Sequence, residues 1–536
     1  MSLAELSKKP GQVETIQLSC DYIKDPLAAY QQLCYQKPNS LLLESAEIDS
    51  KAGINSMILV DTALKLTCHG SVVVAESISD NGQALLSWLA ERLSDFIPEQ
   101  SSEQPTGKLT LHFPQAATDL DEDSKLLAPS VFDSLRVLQL QLSAIREHEL
   151  AIFIAGAFAY DMFGTFETLP KVPTGANHCP DFVFYVAETL IHIDHQAQTS
   201  ELLGSIYSGP DIANSYFAIS QRLEIIKQQL NNTPTQLGAH DASGKATVTA
   251  EQLQTDKTDE EYCADVVRLR ENILAGDIFQ VVPSRTFSLP CPDPYRAYAQ
   301  LKLNNPSPYM FFMQDDDFFI FGASPESAVT YNHQDNQIEV YPIAGTRPRG
   351  KRADNSIDPD LDSRIELTLR EDDKEKAEHL MLVDLARNDV ARVSIPGTRH
   401  VKDLLKVDRY SHVMHLVSRV VGKLKPELDA LHAYQACMNM GTLVGAPKVR
   451  AAQLIRDVEQ QRRGSYGGAI GFLTGKGEMN TCIVIRSAFV TNNVAHIQAG
   501  AGVVYDSVPQ SEADETRSKA QAVISAILQS HSGTTS

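Results

Sequence analysis

The sequence predicts an α+β fold built on a large, mostly antiparallel sheet system. Short β-branched and aromatic runs bounded by polar turns recur in both halves of the chain, and amphipathic helical segments stand between them. The two kinds of segment never settle into the strand–helix–strand rhythm of a doubly wound sheet. At 536 residues the chain exceeds one ordinary core, so two or more domains, or one large fused architecture, are expected.

Between Gln17 and Ser79 the apolar runs Leu41–Leu43, Ser56–Val60, Leu64–Thr67 and Ser71–Val74 read as strands of an antiparallel sheet. Gln83–Phe96 has helical spacing, with Leu86, Leu89, Leu93 and Phe96 on one face. Leu150–Tyr160 reads as a buried strand, a strand pair follows near Phe182–Ile193, and Ser215–Leu230 is helical. Asn231–Thr255 loses hydrophobic periodicity and fills with Asn, Thr, Gln, Gly and Ser, the composition of a linker. It separates an N-terminal region, residues 1–240, from a second region, residues 256–530.

Beyond the linker, Thr258 and Glu261 form a capping box for a helix ending at Ala275, where Gly276 suits the left-handed terminal position. Ile278–Pro283 and Arg285–Leu289 read as strand, and Phe311–Phe321 as a hairpin. Thr368–Asp389 reads as one helix, Lys402–Leu416 as another and Leu428–Met438 as a third. The strands Ala469–Leu473, Thr481–Val490 and Val494–Ala499 precede a last helix, for which Ser511 after Pro509 is the expected N-cap.

Composition narrows the function. The chain is 43% apolar and 21% charged, as in soluble globular proteins. A formal net charge of -21 argues against nucleic acid or anionic membrane as partners, and an anionic substrate must be met by local positive charge. The longest apolar run is too short to span a bilayer and Met1–Pro10 holds no hydrophobic signal core, so cytoplasmic residence is expected. The eight cysteines include no Cys-x-x-Cys pair and none sits in a Gly-x-Cys-x-Gly turn.

Two acidic pairs organise the second half. Glu375 and Glu378 are spaced i, i+3 at the head of an apolar stripe continued by Leu382 and Leu385. Glu512 and Glu515 repeat the spacing, with Lys519, Ala522, Val523 and Ala526 on the same face. Four carboxylates aimed at one volume need a hard cation between them, and carboxylate-plus-water ligation suits Mg²⁺. Each pair alone also fits a solvated helix face beside Lys374, Lys376 and Lys519. The turns Gly464–Gly468 and Gly500–Gly502 offer backbone N–H groups to a carboxylate, as an ordinary tight turn also does. Arg486 is a lone charge on an apolar strand, there to meet either a carboxylate ligand or an internal Glu or Asp. Pro342–Gly350 is dense in turn residues and arginine, and His412 and His415 share a helix face.

Taken together, PIAGTRPRG (342–350), EHLMLVDLARND (378–389), GSYGGAIG (464–471), Ile485-Arg486-Ser487 with Gly500-Ala501-Gly502, and SEADETRSK (511–519) resemble the chorismate-binding enzymes, and within them the large subunits that form anthranilate. LLLESAEIDSK (41–51) extends the resemblance into the N-terminal region. It implies two facing antiparallel sheets, a β-sandwich flanked by helices; the N-terminal region is either a separate domain or, as the favoured reading, strands woven into the same sandwich. It also implies Mg²⁺ on Glu378 and Glu515, supported by Glu375 and Glu512. Arg486, Tyr466 and the Gly500, Ala501, Gly502 backbone would hold the enolpyruvyl carboxylate, Gly345 and Thr346 would line the ring, and Lys519 belongs to the same substrate site. Glu326 would donate a proton to the departing C4 hydroxyl, and His415 is implicated in loss of the C2 proton.

Two positions separate the relatives. Water-using members carry a lysine base where this chain has Gln280, and aminodeoxychorismate synthases, the alternative reading, carry a nucleophilic lysine at Ala344. With no activated cysteine for glutamine hydrolysis, a separate glutamine amidotransferase subunit is implied, in a heterotetramer of two large and two small subunits. Feedback inhibition by L-tryptophan is implied at Ser45 with Pro308, Tyr309 and Met310 of Asn305–Met310, segments that read otherwise as a strand end and a Pro-rich turn packed together.

Overall fold

The computed structural model describes residues 3–45, 54–98, 106–115, 120–231, 248–352, 354, 356–410 and 413–531. Most of the linker, residues 46–53 and His412 lie outside them.

Strands from both halves of the chain interleave. Ser40–Glu44 lies antiparallel to Tyr309–Gln314, with Leu43 opposite Phe311, and Phe153–Phe158 pairs with Ala469–Thr474 in the same sense. Side chains alternate between two environments along each strand. Met57 and Leu59 face one core with Phe153, Ala155, Phe311 and Met313, whereas Ile58, Val60, Met310 and Phe312 face another under the helices. Burial on both faces explains why these strands read as nearly continuous apolar runs.

The expected pair of separate sheets is not what forms. Apart from the small ladder of Gln280–Val281 with Gly445–Ala446, the described strands join one continuous sheet that closes on itself. The cause lies in strands such as Asn55–His69, which fuses two of the expected short strands and pairs with Phe182–Asp194 through register shifts between Leu59 and Leu64. Such bulges bend and twist a strand, carrying the ladder around a corner where two flat sheets would otherwise end.

Other elements also differ from the sequence reading. Lys402–Leu416 is not helical; His400–Arg409 and Val413–Lys423 are antiparallel strands, and the alternating burial of the first follows the period of two in Val401, Asp403, Leu405 and Val407. Thr368–Asp389 divides into Pro359–Glu371 and Asp373–Val393, because Asp372 leaves the helix and caps the next one through the N–H groups of Lys374 and Glu375. Arg486 is not on a strand. With φ +50 it interrupts the ladder between Met479–Ile483 and Ser487–Thr491. The last helix begins at Pro509, so Ser511 lies inside it. Pro26–Cys34, capped by Asp25, is an additional helix. The capping box at Thr258 forms as read. No helix among the described residues is long and apolar enough to cross a membrane.

Candidate active site

A cavity of about 620 Å³ opens where the helix Asp373–Val393, the helix Pro509–His531 and the strands Ile343–Pro348, Val413–Lys423 and Val494–Gly500 converge. Its lining includes Gln280, Glu326, Gly345, Thr346, Glu375, Glu378, His415, Tyr466, Arg486, Gly500, Gly502, Glu512, Glu515 and Lys519. Of the active-site residues read from the sequence only Ala501 is absent from that lining; it is fully buried behind the wall.

Both acidic pairs reach the cavity. Two of the four carboxylates pair with cations and a third with a serine side chain. Arg347 donates to Glu375 at 2.8 Å, Lys519 pairs with Glu515 at 2.6 Å, and a Ser507 side-chain hydrogen bond reaches Glu512. Among the described residues Glu378 receives only the Gln280 amide, at 2.7 Å. Burial and the neighbouring charges of Glu375 and Glu515 push its carboxyl up to about 7. Burial also raises Glu512, with Glu515 adding to the effect. The Gly502 backbone approaches this group so closely that a Cβ there would stand 2.7 Å from Gln280 Nε2 and 3.1 Å from Glu378 Oε1.

This acidic end fits a divalent cation. Among the described residues no three of the four carboxylates bring oxygens within 4.8 Å of one another; the one group that does so, Glu149, His333 and Glu478, lies outside the cavity lining. The donor set therefore suits an ion held by one or two carboxylates with waters completing its shell, the manner in which Mg²⁺ is commonly bound.

The rest of the cavity has the opposite character. The Arg486 backbone carbonyl accepts from the Ala323 N–H, but the Arg486 side chain lines the cavity with no hydrogen bond or ion pair to another described residue, which leaves its guanidinium to a ligand. Burial depresses it below the usual guanidinium range. The Tyr466 hydroxyl meets the Gly500 backbone beside it, and the Gly500 carbonyl accepts from Lys519 at 2.9 Å.

Glu326 follows Pro325 at the break between the strands Phe319–Ser324 and Ser327–Asn332, and is 6% exposed. Burial pushes its carboxyl up to about 8 against a 3.1 Å hydrogen bond donated by Thr442. It is therefore a protonated acid at neutral pH. Gly345, at φ +82, makes a bulge that sets Thr346 opposite His415 in the ladder, with Thr346 Oγ1 and His415 Nδ1 2.9 Å apart. Burial, reinforced by Arg486, lowers His415 to about 4, so its ring is neutral.

Sequence reasoning missed Thr442, Arg347 and Asp372. Thr442 lies in Met440–Pro447, where two glycines and a proline between helices are the local sign of a shaped turn. Arg347 stands within the noted turn-rich segment but bonds both Asp372 and Glu375, a fork that depends on the tertiary fold.

Away from this site, Ser45, Tyr309 and Met310 line a cavity of about 110 Å³ with Leu43, Glu44 and Met57. Pro308 precedes Tyr309 in the chain and is not part of the lining. Its neighbour Glu44 is held by Tyr298, at 2.6 Å, and Lys302, at 2.5 Å.

The chain belongs to the chorismate binding enzyme family, whose model matches residues 98–525. It is 56% identical to anthranilate synthase component 1 of Vibrio cholerae over 98% of each chain. It is 54% identical to that of Escherichia coli, over 96% of this chain and 97% of the other. Among solved structures, anthranilate synthase component I from Streptococcus pneumoniae superposes with a TM-score of 0.65 at 27% identity, covering 93% of this chain and 97% of that one. The menaquinone-specific isochorismate synthase from Escherichia coli, at 18% identity and a TM-score of 0.66 over 98% of both chains, shares the fold.

Proposed function

We propose that this chain is the chorismate-using component of an anthranilate synthase, converting chorismate and ammonia to anthranilate, pyruvate and water. The observation that carries the reading is one cavity joining a buried acid, Glu326, an unpaired Arg486 and four carboxylates, in a chain alike over its whole length to proteins of that name. Mg²⁺, held by Glu378 and Glu515 and supported by Glu375 and Glu512 partly through water, would bind the ring carboxylate and supply the positive charge that an acidic chain lacks.

The chain's own residues do the rest. Arg486, Tyr466 and the Gly500–Gly502 backbone hold the enolpyruvyl carboxylate, and Gly345 and Thr346 flank the ring. Ammonia attacks C2, the double bonds shift, and Glu326 gives its proton to the hydroxyl leaving C4. Gln280, a neutral amide held against Glu378, cannot activate water and need not activate ammonia. The neutral His415, tied to Thr346, keeps the lone pair needed to accept the C2 proton as pyruvate departs. Ala344 lines the cavity and offers no amine for the covalent adduct of aminodeoxychorismate synthesis.

Ammonia comes from a partner. The described cysteines are buried or half-buried, and burial raises the thiols of Cys20, Cys179, Cys263 and Cys437, the reverse of a glutamine-hydrolysing nucleophile. A glutamine amidotransferase component fills that role, two copies of each subunit forming the assembly in the cytoplasm. L-Tryptophan inhibits from the cavity at Ser45, Tyr309 and Met310.

Purified chain supplied with chorismate, Mg²⁺ and ammonium tests the reading. Anthranilate fluorescence that vanishes with EDTA is expected; chorismate consumed into a non-fluorescent product retaining the pyruvyl group would move the assignment to aminodeoxychorismate.

A further inference from the structure

Glu326 faces two voids. Besides the 620 Å³ cavity it lines a small one of about 20 Å³, with room for a single water molecule. Leu382 and Thr442 also line both, so these three side chains form the partition. Asp389 lines the small void and, at the same time, a third cavity of about 310 Å³ shared with Lys448, Arg392 and Phe166. That cavity reaches solvent at Glu122, whose side chain is 60% exposed.

Lys448 donates to Asp389 Oδ2 at 2.6 Å and to the Cys437 carbonyl at 2.5 Å, and the two side chains are only 10% and 13% exposed. Glu378, Leu382, Leu385 and Asp389 share one face of the helix Asp373–Val393, which therefore runs from the acidic end of the active site to this pair. A buried ion pair roughly breaks even against apolar side chains of equal volume, so stability alone does not account for charge here. Substrate in the main cavity would shut Glu326 off from solvent on that side, and it is then that an acid needs another route for its proton.

We propose that the Asp389–Lys448 pair and the water-sized void form a back passage that returns a proton to Glu326 and drains the water released at C4. This rests on Glu326 being the proton donor of the proposed reaction. As the C4–O bond breaks, the Glu326 proton joins the departing hydroxyl, leaving a carboxylate and one water. The void receives that water. A proton from solvent passes from Lys448 to Asp389 and through the void's water to the carboxylate, Lys448 is reprotonated from the outer cavity, and only O–H and N–H bonds change.

The test uses the full chain with Mg²⁺, chorismate and ammonium, where wild-type anthranilate formation separately checks the underlying assignment. The Asp389→Ala/Lys448→Met double variant strands no single buried charge. Its kcat is expected to fall about tenfold or more with KM for chorismate held within about twofold. Imidazole, admitted to the enlarged outer cavity, is expected to raise the variant's kcat in proportion to its concentration and to leave wild type unmoved. Ala386→Leu fills the small void and keeps both charges; it is expected to lower kcat at unchanged KM without imidazole rescue. Wild-type kcat in either variant, or a loss in the double variant that imidazole does not relieve, would overturn the passage.

Discussion

The two ends of the main cavity are incomplete in opposite senses. At one end Glu378 is buried among like charges and held up to about 7, wanting a cation. At the other, the Arg486 side chain makes no hydrogen bond or ion pair with another described residue and is depressed by burial. The comparison teaches that neither end was built to be satisfied by the protein. In the proposed function a divalent cation and a dicarboxylate, bound together, would complete both, and a chain of net charge -21 would thereby admit an anionic substrate.

Breaking the acidic end has the largest expected effect. Glu378→Ala should reduce turnover to about a thousandth of wild type or less, because metal charge stabilisation is several kcal/mol. The fold should survive, since the change relieves repulsion; a melting temperature at or above wild type, with activity absent at saturating Mg²⁺, is the check.

Glu326→Gln, between the two ends, should lower kcat by about 10²–10⁴-fold with little change in KM. Wild-type activity should decline as pH rises through about 8, where Glu326 loses the proton it must give. The variant should lose that limb of the profile. Persistence of the limb would show that another group titrates.

At the cationic end, Arg486→Gln should cost about 1.5–3 kcal/mol of binding, roughly ten- to hundredfold in KM for chorismate, with kcat reduced far less. Steady-state kinetics separate this from a loss of chemistry.

The smallest catalytic effect is expected away from both ends. Ser45→Phe should shift the tryptophan inhibition curve to higher concentration and leave kcat within about twofold. An unchanged curve would remove the inhibitor site from that cavity.

What was legible in the sequence follows from how local each signal is. Glu375, Glu378, Glu512 and Glu515 were readable because i, i+3 spacing on a helix is a short-range property. The capping box at Thr258 was readable for the same reason. Glu326 carries no such sign. Its chemistry comes from burial and from Thr442, a residue 116 positions away. Arg486 stood out as a charge in an apolar run, but the left-handed turn that aims it is a backbone choice imposed by tertiary contacts. His415 was placed on a helix because short mixed segments satisfy both periods; cross-strand pairing with Thr346 decided the matter. The bulges beyond Leu59 that merge two expected sheets into one left no residue pattern to read. Ser45 and Tyr309 lie far apart in sequence and come together only through the pairing of Ser40–Glu44 with Tyr309–Gln314.

The most direct measurement is calorimetric titration of chorismate into the protein with and without Mg²⁺, repeated for Glu378→Ala. Joint completion of the two ends predicts that Mg²⁺ tightens chorismate by about tenfold or more, that chorismate tightens Mg²⁺ by the same factor, and that the variant loses the coupling. Equal chorismate affinity in the presence and absence of Mg²⁺ would contradict it.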